Sequence, residues 1–202
     1  MRWCCSPRAP VSPPFTPKVQ ALFDRLPASW SPPFAIFTVL ARDERLLSRF
    51  IGSSVAYLEP SHLTVRQREV LLLRVTARCR CAYEWGMRVH YFAEDAGLDD
   101  AQVYASVHGD ADDAGWRPND RVLVRLADEL HDTDSIGDAL WADLRAAFSE
   151  EAILQLLLMA SNYRTVAYLA NGLRLPLEPN VGRPFPVAHE KVSMVLDGRT
   201  GV

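Results

Sequence analysis

The residues best suited to chemistry lie in one short stretch, 69–88: Glu69, Cys79, Cys81, Glu84 and Arg88. A helical pattern begins at about Ala82, which places Cys81 at a helix N-terminus. Unpaired backbone N–H groups and the positive end of the macrodipole gather there. A thiol so placed has a lowered pKa and more of the nucleophilic thiolate form. At ~100° per residue, Glu84 lies ~60° and Arg88 ~20° around the axis from Cys81, so the three share a face. His90 comes out ~180° away and cannot reach Cys81 from the same helix. Glu84 and Arg88 are spaced i, i+4 with the acid first, the favourable order for an ion pair.

Glu69 stands twelve residues before Cys81, among Val70, Leu71 and Leu72. A carboxylate in such apolar company needs a partner or a raised pKa. An antiparallel helical hairpin turning near Cys79 and Arg80 brings Glu69 towards Glu84 and Arg88, and Arg88 is the obvious partner. Cys79, two residues before Cys81, allows a CxC disulfide, strained and labile. A sulfenic acid on Cys81 resolved by Cys79 would complete a peroxidase-like cycle. Two buried, inert cysteines are the plainer alternative. A CxC pair without a second CxxC or an HxxxH downstream is a poor zinc site, so no metal is expected.

These residues need helices to position them, and the rest of the chain supplies helical patterns. The 202 residues are 49% hydrophobic, enough for one domain with a substantial core. A net charge of −3 argues against nucleic acid or an anionic membrane as the partner. The most apolar run, Ile153 to Ala160, is far short of the ~20 residues of a membrane span. The N-terminus has no apolar h-region, so a cytoplasmic protein with free thiols is expected.

Residues 1–17 are rich in Pro and Ser and read as a disordered or extended arm, with Cys4 and Cys5 as stray thiols. The helical domain is expected over 18–175 and an extended tail over 176–202. Within the domain, 34–58 reads as helix with one or two breaks around Gly52. Thr64 with Gln67 forms a capping-box signature, as does Asp99 with Gln102. Ser149 opens the longest helix, with Gly172 as its stop. No period-2 strand, GxGxxG or P-loop is present, and the fold class is all-α. The patterns at 65–78 and 150–171 are apolar over more than one face, which predicts a homo-oligomer.

Three runs occur in order along the chain: Leu63-Thr64-Val65-Arg66-Gln67-Arg68-Glu69, Cys81-Ala82-Tyr83-Glu84-Trp85 and Ala96-Gly97-Leu98. With Ala127-Asp128-Glu129-Leu130 and the stretch from Asn162-Tyr163 to Asn171, they closely resemble the carboxymuconolactone decarboxylase family, over about residues 35–180. The resemblance implies an AhpD-like multi-helix domain built around the Glu69/Cys81 hairpin. In the alkylhydroperoxidase D branch, a Glu precedes a CxxC by twelve residues and a His follows four after the second Cys. Glu69 and Cys81 match the Glu and the first Cys, while Glu84 and Arg88 replace the second Cys and the His. In the decarboxylase-like branch the cysteine is followed by Tyr-Glu-Trp and a His, matched here by Tyr83, Glu84, Trp85 and, in place of the His, Arg88.

Arginine stays protonated, so it stabilises an anion but is no general base. Two activities follow as expectations. One is a thiol-dependent peroxidase acting on a hydroperoxide, with Cys81 as nucleophile, Cys79 as resolver and Glu69 as proton relay. The other is a cofactor-free lyase or isomerase acting on a small carboxylated ring compound. It would use Glu69 or Glu84 as acid/base and Arg88, Tyr83 and Trp85 to bind substrate. A helical scaffold without catalysis is the third reading. None of the three calls for a cofactor.

Overall fold

The computed structural model describes residues 9–59, 61–113 and 115–188. Cys4, Cys5 and the rest of 1–8, together with the tail beyond 188, lie outside the described residues. Within them the chain is all-helical. The helices are α1 (Pro17–Phe23), α2 (Ala35–Leu40), α3 (Glu44–Ala56), α4 (Val65–Arg78), α5 (Ala82–Phe92), α6 (Asp100–His108), α7 (Pro118–Thr133), α8 (Asp138–Ala147) and α9 (Glu150–Leu173), with a 3₁₀ turn at Ala28–Trp30. No described helix is long and apolar enough to cross a membrane.

Helix α4 is the axle of the domain. Both halves of its capping box form: the Thr64 hydroxyl accepts from the Gln67 N–H, and the Gln67 side chain accepts from the Thr64 N–H. Val70, Leu71, Leu72 and Leu73 are all buried, because α5, α6, α7 and α9 surround the helix. Its all-round apolarity is therefore met by its own chain and requires no second subunit. Helix α9 differs. Ile153, Leu156, Met159 and Val166 are buried, but Leu154, Leu158 and Tyr168 face outward.

A ladder of ion pairs ties α4 to α7. Arg66 grips Asp120 (Nη2–Oδ2 2.8 Å), Arg74 grips Asp128 (Nη2–Oδ2 2.8 Å) and Arg78 reaches Asp132. Each pair spans the same 54 residues, so the two helices run parallel. Spare Arg66 and Arg74 donors satisfy the carbonyls of Gly97 (2.6 Å) and Gly109 (2.9 Å), closing the turns at the ends of the neighbouring helices. The Arg66–Asp120 pair is buried on both sides, and charges so placed persist only when each is paired and hydrogen-bonded.

Two boundaries differ from the expectation. The break in 34–58 falls at 41–43, where the Asp43 carboxylate caps α3 by accepting from the Arg45 and Leu46 N–H groups. Gly52 lies within the unbroken α3. Helix α9 runs through Gly172, and Arg174 takes the left-handed turn instead, at φ 54°.

After that turn the chain returns across the domain as a strap without helix or strand, to residue 188. The Arg183 backbone lies directly on Gly86, where no Cβ fits. Phe185 packs edge-on against Trp85 at 5.3 Å, and His108 Nε2 is 2.7 Å from the Pro186 carbonyl. Gly86→Ala is expected to lift the strap while the core stays folded. Trypsin cleavage after Arg183 should then run about tenfold faster, matching the loss of roughly 1.4 kcal/mol of local stability. An unchanged cleavage rate would show that the strap is held elsewhere.

Candidate active site

The turn between α4 and α5 is tight. Arg80 is left-handed (φ 52°) and the Cys81 N–H donates back to the Thr76 carbonyl at 2.9 Å. This turn folds α5 back along α4, so that Glu69 meets Arg88. Glu69 is fully buried and receives two guanidiniums. Arg88 donates Nε–H to Oε2 at 2.7 Å and Nη2–H to Oε1, and Arg68 donates Nε–H to Oε1 at 2.6 Å. The Phe92 ring lies under both cations, 4.2 Å from Arg88 and 5.1 Å from Arg68. The third nitrogen of Arg88, Nη1, donates to the Tyr163 hydroxyl on α9 at 2.9 Å. Burial opposes the Arg88 charge, but Glu69 more than offsets it, so the guanidinium stays firmly protonated.

The i, i+4 pair of Glu84 with Arg88 does not form, because Arg88 turns to Glu69. Glu84 is left partly buried, with no side-chain hydrogen bond among the described residues. Its pKa is pushed up to about 7, mainly by desolvation. Arg88 pulls it down and the Glu69 charge pushes it up. Glu84 and Arg88 line a cavity of about 40 Å³ whose walls are aromatic. Trp30, Phe34, Phe37, Phe50, Tyr83, Tyr91, Phe92 and Tyr163 all contribute to the lining.

The other residues singled out from the sequence are placed differently. Cys81 is at the α5 N-terminus as expected, but it is fully buried in the main core and does not line this cavity. Its thiol is pushed up to about 12, against the expected lowering. Desolvation is the largest influence, and the N–H groups of Glu84 and Tyr83 at the helix start do not overcome it. Cys79 is a free thiol in a second cavity, of about 220 Å³, with His131 and Arg164. Burial raises the Cys79 pKa too, opposed by Arg164 and Arg78.

Arg88 gives three of its five N–H donors to Glu69 and Tyr163, one from each nitrogen of the fork. Trp85 points away from Glu84, with its indole N–H on the Ser106 hydroxyl at 3.0 Å. Tyr83 does line the aromatic cavity, and its hydroxyl donates to Glu178 of the strap. Glu178 also accepts from the Ala35 N–H, which ties the strap to the start of α2 beside the aromatic wall. Among the described residues no cluster of three or more His, Cys, Asp or Glu side chains could hold a metal ion.

Tyr163, Trp30, Phe34 and Phe37 were not singled out from the sequence as site residues. The available signal for Tyr163 was a hydroxyl on the apolar face of α9, between Met159 and Val166. Trp30, Phe34 and Phe37 carried no such signal, since aromatic residues at that spacing are ordinary core.

No family model and no curated protein matches the sequence. Solved structures do match. The fold is similar to that of a debrominase. The apo structure of the debrominase Bmp8 aligns with a TM-score of 0.71 at 12% identity, covering 85% of this chain and 91% of that one. A cysteine-to-alanine variant of Bmp8 in complex with 2,3,4-tribromopyrrole aligns with a TM-score of 0.73 at 11% identity, covering 87% and 94%. At such identity the likeness concerns the fold alone.

Proposed function

We propose that the chain is an AhpD-like member of the carboxymuconolactone decarboxylase group that moves a proton on a small, flat ring compound without a cofactor. Glu84 is the general base and then the general acid. The observation that carries this reading is the Glu84 carboxyl: it lines the aromatic cavity, has no side-chain hydrogen bond among the described residues, and has its pKa pushed up to about 7 by burial. A catalytic acid/base works best with its pKa near the operating pH, and desolvation is how a carboxyl gets there. Aromatic walls suit a planar ring. The ligand of the Bmp8 variant, 2,3,4-tribromopyrrole, is such a ring and supports the same substrate class.

A cavity of ~150 Å³ holds benzene, so the 40 Å³ cavity must widen to admit a ring. A peroxidase centred on Cys81 has less support, because a buried thiol with a pKa of about 12 is scarcely ionised at neutral pH.

The test is proton exchange. A panel of cyclic ketones, enones and lactones is incubated with the protein in D₂O and followed by NMR. Deuterium should enter the ring in the presence of wild type and of Cys81→Ala, and fall to the buffer rate with Glu84→Gln. Loss with Cys81→Ala and retention with Glu84→Gln would overturn the assignment.

Self-association belongs to the same proposal. Leu154, Leu158 and Tyr168 on α9 and Trp141 on α8 are exposed large apolar side chains that support a contact between copies. A solution mass at a multiple of the chain mass is expected, and a monomer mass would rule it out.

A further inference from the structure

We infer that Tyr163 is a second catalytic residue, a hydrogen-bond donor to the substrate's oxygen, and that the substrate is therefore a small ring with an enolisable carbonyl. This rests on reading Glu84 as the proton carrier.

The contact between Arg88 and Tyr163 has only one possible polarity. A guanidinium has donors and no acceptor. At 2.9 Å, the Tyr163 oxygen must be accepting from Nη1. The phenolic hydrogen therefore points elsewhere. Among the described residues no side chain or carbonyl receives it in a hydrogen bond, although Tyr163 is only 4% exposed. Its ring lines the aromatic cavity, as Glu84 does from the neighbouring helix. A buried hydroxyl of this kind calls for an acceptor, and the cavity is where one can come from.

The surroundings also strengthen the donor. A cation donating to the phenolic oxygen withdraws electron density from its O–H bond, as in a cooperative chain. Burial, with help from Glu84 and Glu69, keeps the phenol protonated despite Arg88. Glu69 has a different task from the proton relay expected of it. It neutralises Arg88 from the far side and fixes the guanidinium plane against Tyr163, so Glu69 and Arg88 are positioning residues.

The step balances without a co-reactant. The Glu84 carboxylate takes the proton from the ring carbon next to the carbonyl. The C–H electron pair becomes a C=C bond, and the carbonyl π pair moves onto oxygen, where Tyr163 holds it. Glu84 then returns the proton to that carbon, or in a conjugated ring to the carbon two positions further along. The oxygen pair re-forms the carbonyl. The net outcome is isomerisation, or exchange with solvent when the proton returns to the same carbon.

The test uses 4-nitrophenol as a stable mimic of the enolate oxygen, nitrobenzene as the same ring without it, and 2-cyclohexenone as the exchanging substrate. Tyr163→Phe should weaken 4-nitrophenol binding at least tenfold and leave nitrobenzene unchanged. The exchange kcat should fall about 10²–10³-fold, the usual effect of removing one oxyanion donor, with KM little altered. Equal binding of 4-nitrophenol by wild type and Tyr163→Phe would overturn the assignment.

Because Tyr163→Phe leaves Arg88 Nη1 without its acceptor, 3-fluorotyrosine at position 163 provides a second variant of native shape. Its more acidic hydroxyl should tighten 4-nitrophenol binding several-fold, and no change would again count against the role. Glu84→Gln separates the two readings. It should keep 4-nitrophenol binding and lose exchange. Retained exchange in Glu84→Gln would sink the proton-carrier reading, while weakened 4-nitrophenol binding in Tyr163→Phe would still support the donor.

Discussion

Glu84→Gln is expected to lower ring-proton exchange by about 10²–10⁴-fold, the contribution of a positioned general base. Wild-type kcat/KM should rise with pH through about 7, where the Glu84 carboxyl gives up its proton, and level off above. The residual rate of Glu84→Gln should show no such step. Stability should move the other way. In the fold the carboxyl titrates at about 7, above its ordinary 4.5, so between those values the folded chain binds more protons than the unfolded one. Stability therefore falls as pH rises across that window, and the full penalty is present above pH 7. Its size is about 1–3 kcal/mol after allowance for partial contact with solvent. Glu84→Gln should match wild type below pH 4.5 and melt at a higher temperature at pH 8. A residue that destabilises the fold and supports turnover is the pattern of a functional site. Equal melting temperatures at pH 8, together with an unchanged rate, would identify Glu84 as an ordinary surface carboxylate.

The second large effect is on the fold. Glu69→Gln should lower stability by about 3–5 kcal/mol, the cost of leaving a buried charge without its partner. Here two guanidiniums, Arg68 and Arg88, lose their common carboxylate. A domain of this kind has only ~5–15 kcal/mol in total, so the variant should unfold at a far lower urea concentration. The triple variant Arg68→Met, Glu69→Met and Arg88→Met should recover much of the loss, since apolar residues often replace a whole buried ion-pair cluster at little net change. Because the pair is shielded from water, raising the salt concentration should hardly alter the difference. An unchanged urea midpoint in Glu69→Gln would show that the triad does not hold the hairpin.

Much of the frame was legible in the residues themselves. Thr64 with Gln67 and Asp99 with Gln102 mark helix starts through bonds made within four residues, and both boxes form. The apolar periods that define α4 to α9 are equally local. The ion-pair ladder was not legible. Arg66 and Asp120 are 54 residues apart, and nothing in either residue's neighbourhood announces the other. The break at Asp43 was misplaced because glycine is a general weakener of helices, whereas a capping carboxylate acts at one spot.

What the sequence determined by itself was the inventory: an all-helical chain, a hairpin with Glu69 on one arm, and Cys81, Glu84 and Arg88 at the start of the other. Only the tertiary structure decided which of them face a cavity. Cys81 has the right local position for a reactive thiol, yet the packed core around it removes water and raises its pKa. Glu84 and Arg88 have the right spacing for a pair, yet Arg88 finds a better partner across the hairpin and Glu84 is left to titrate. Tyr163 arrives from a helix 75 residues away to meet Arg88. Helix position and spacing are local quantities that a sequence carries directly. Desolvation and the choice among competing partners depend on every neighbour at once, and only the folded chain sets them.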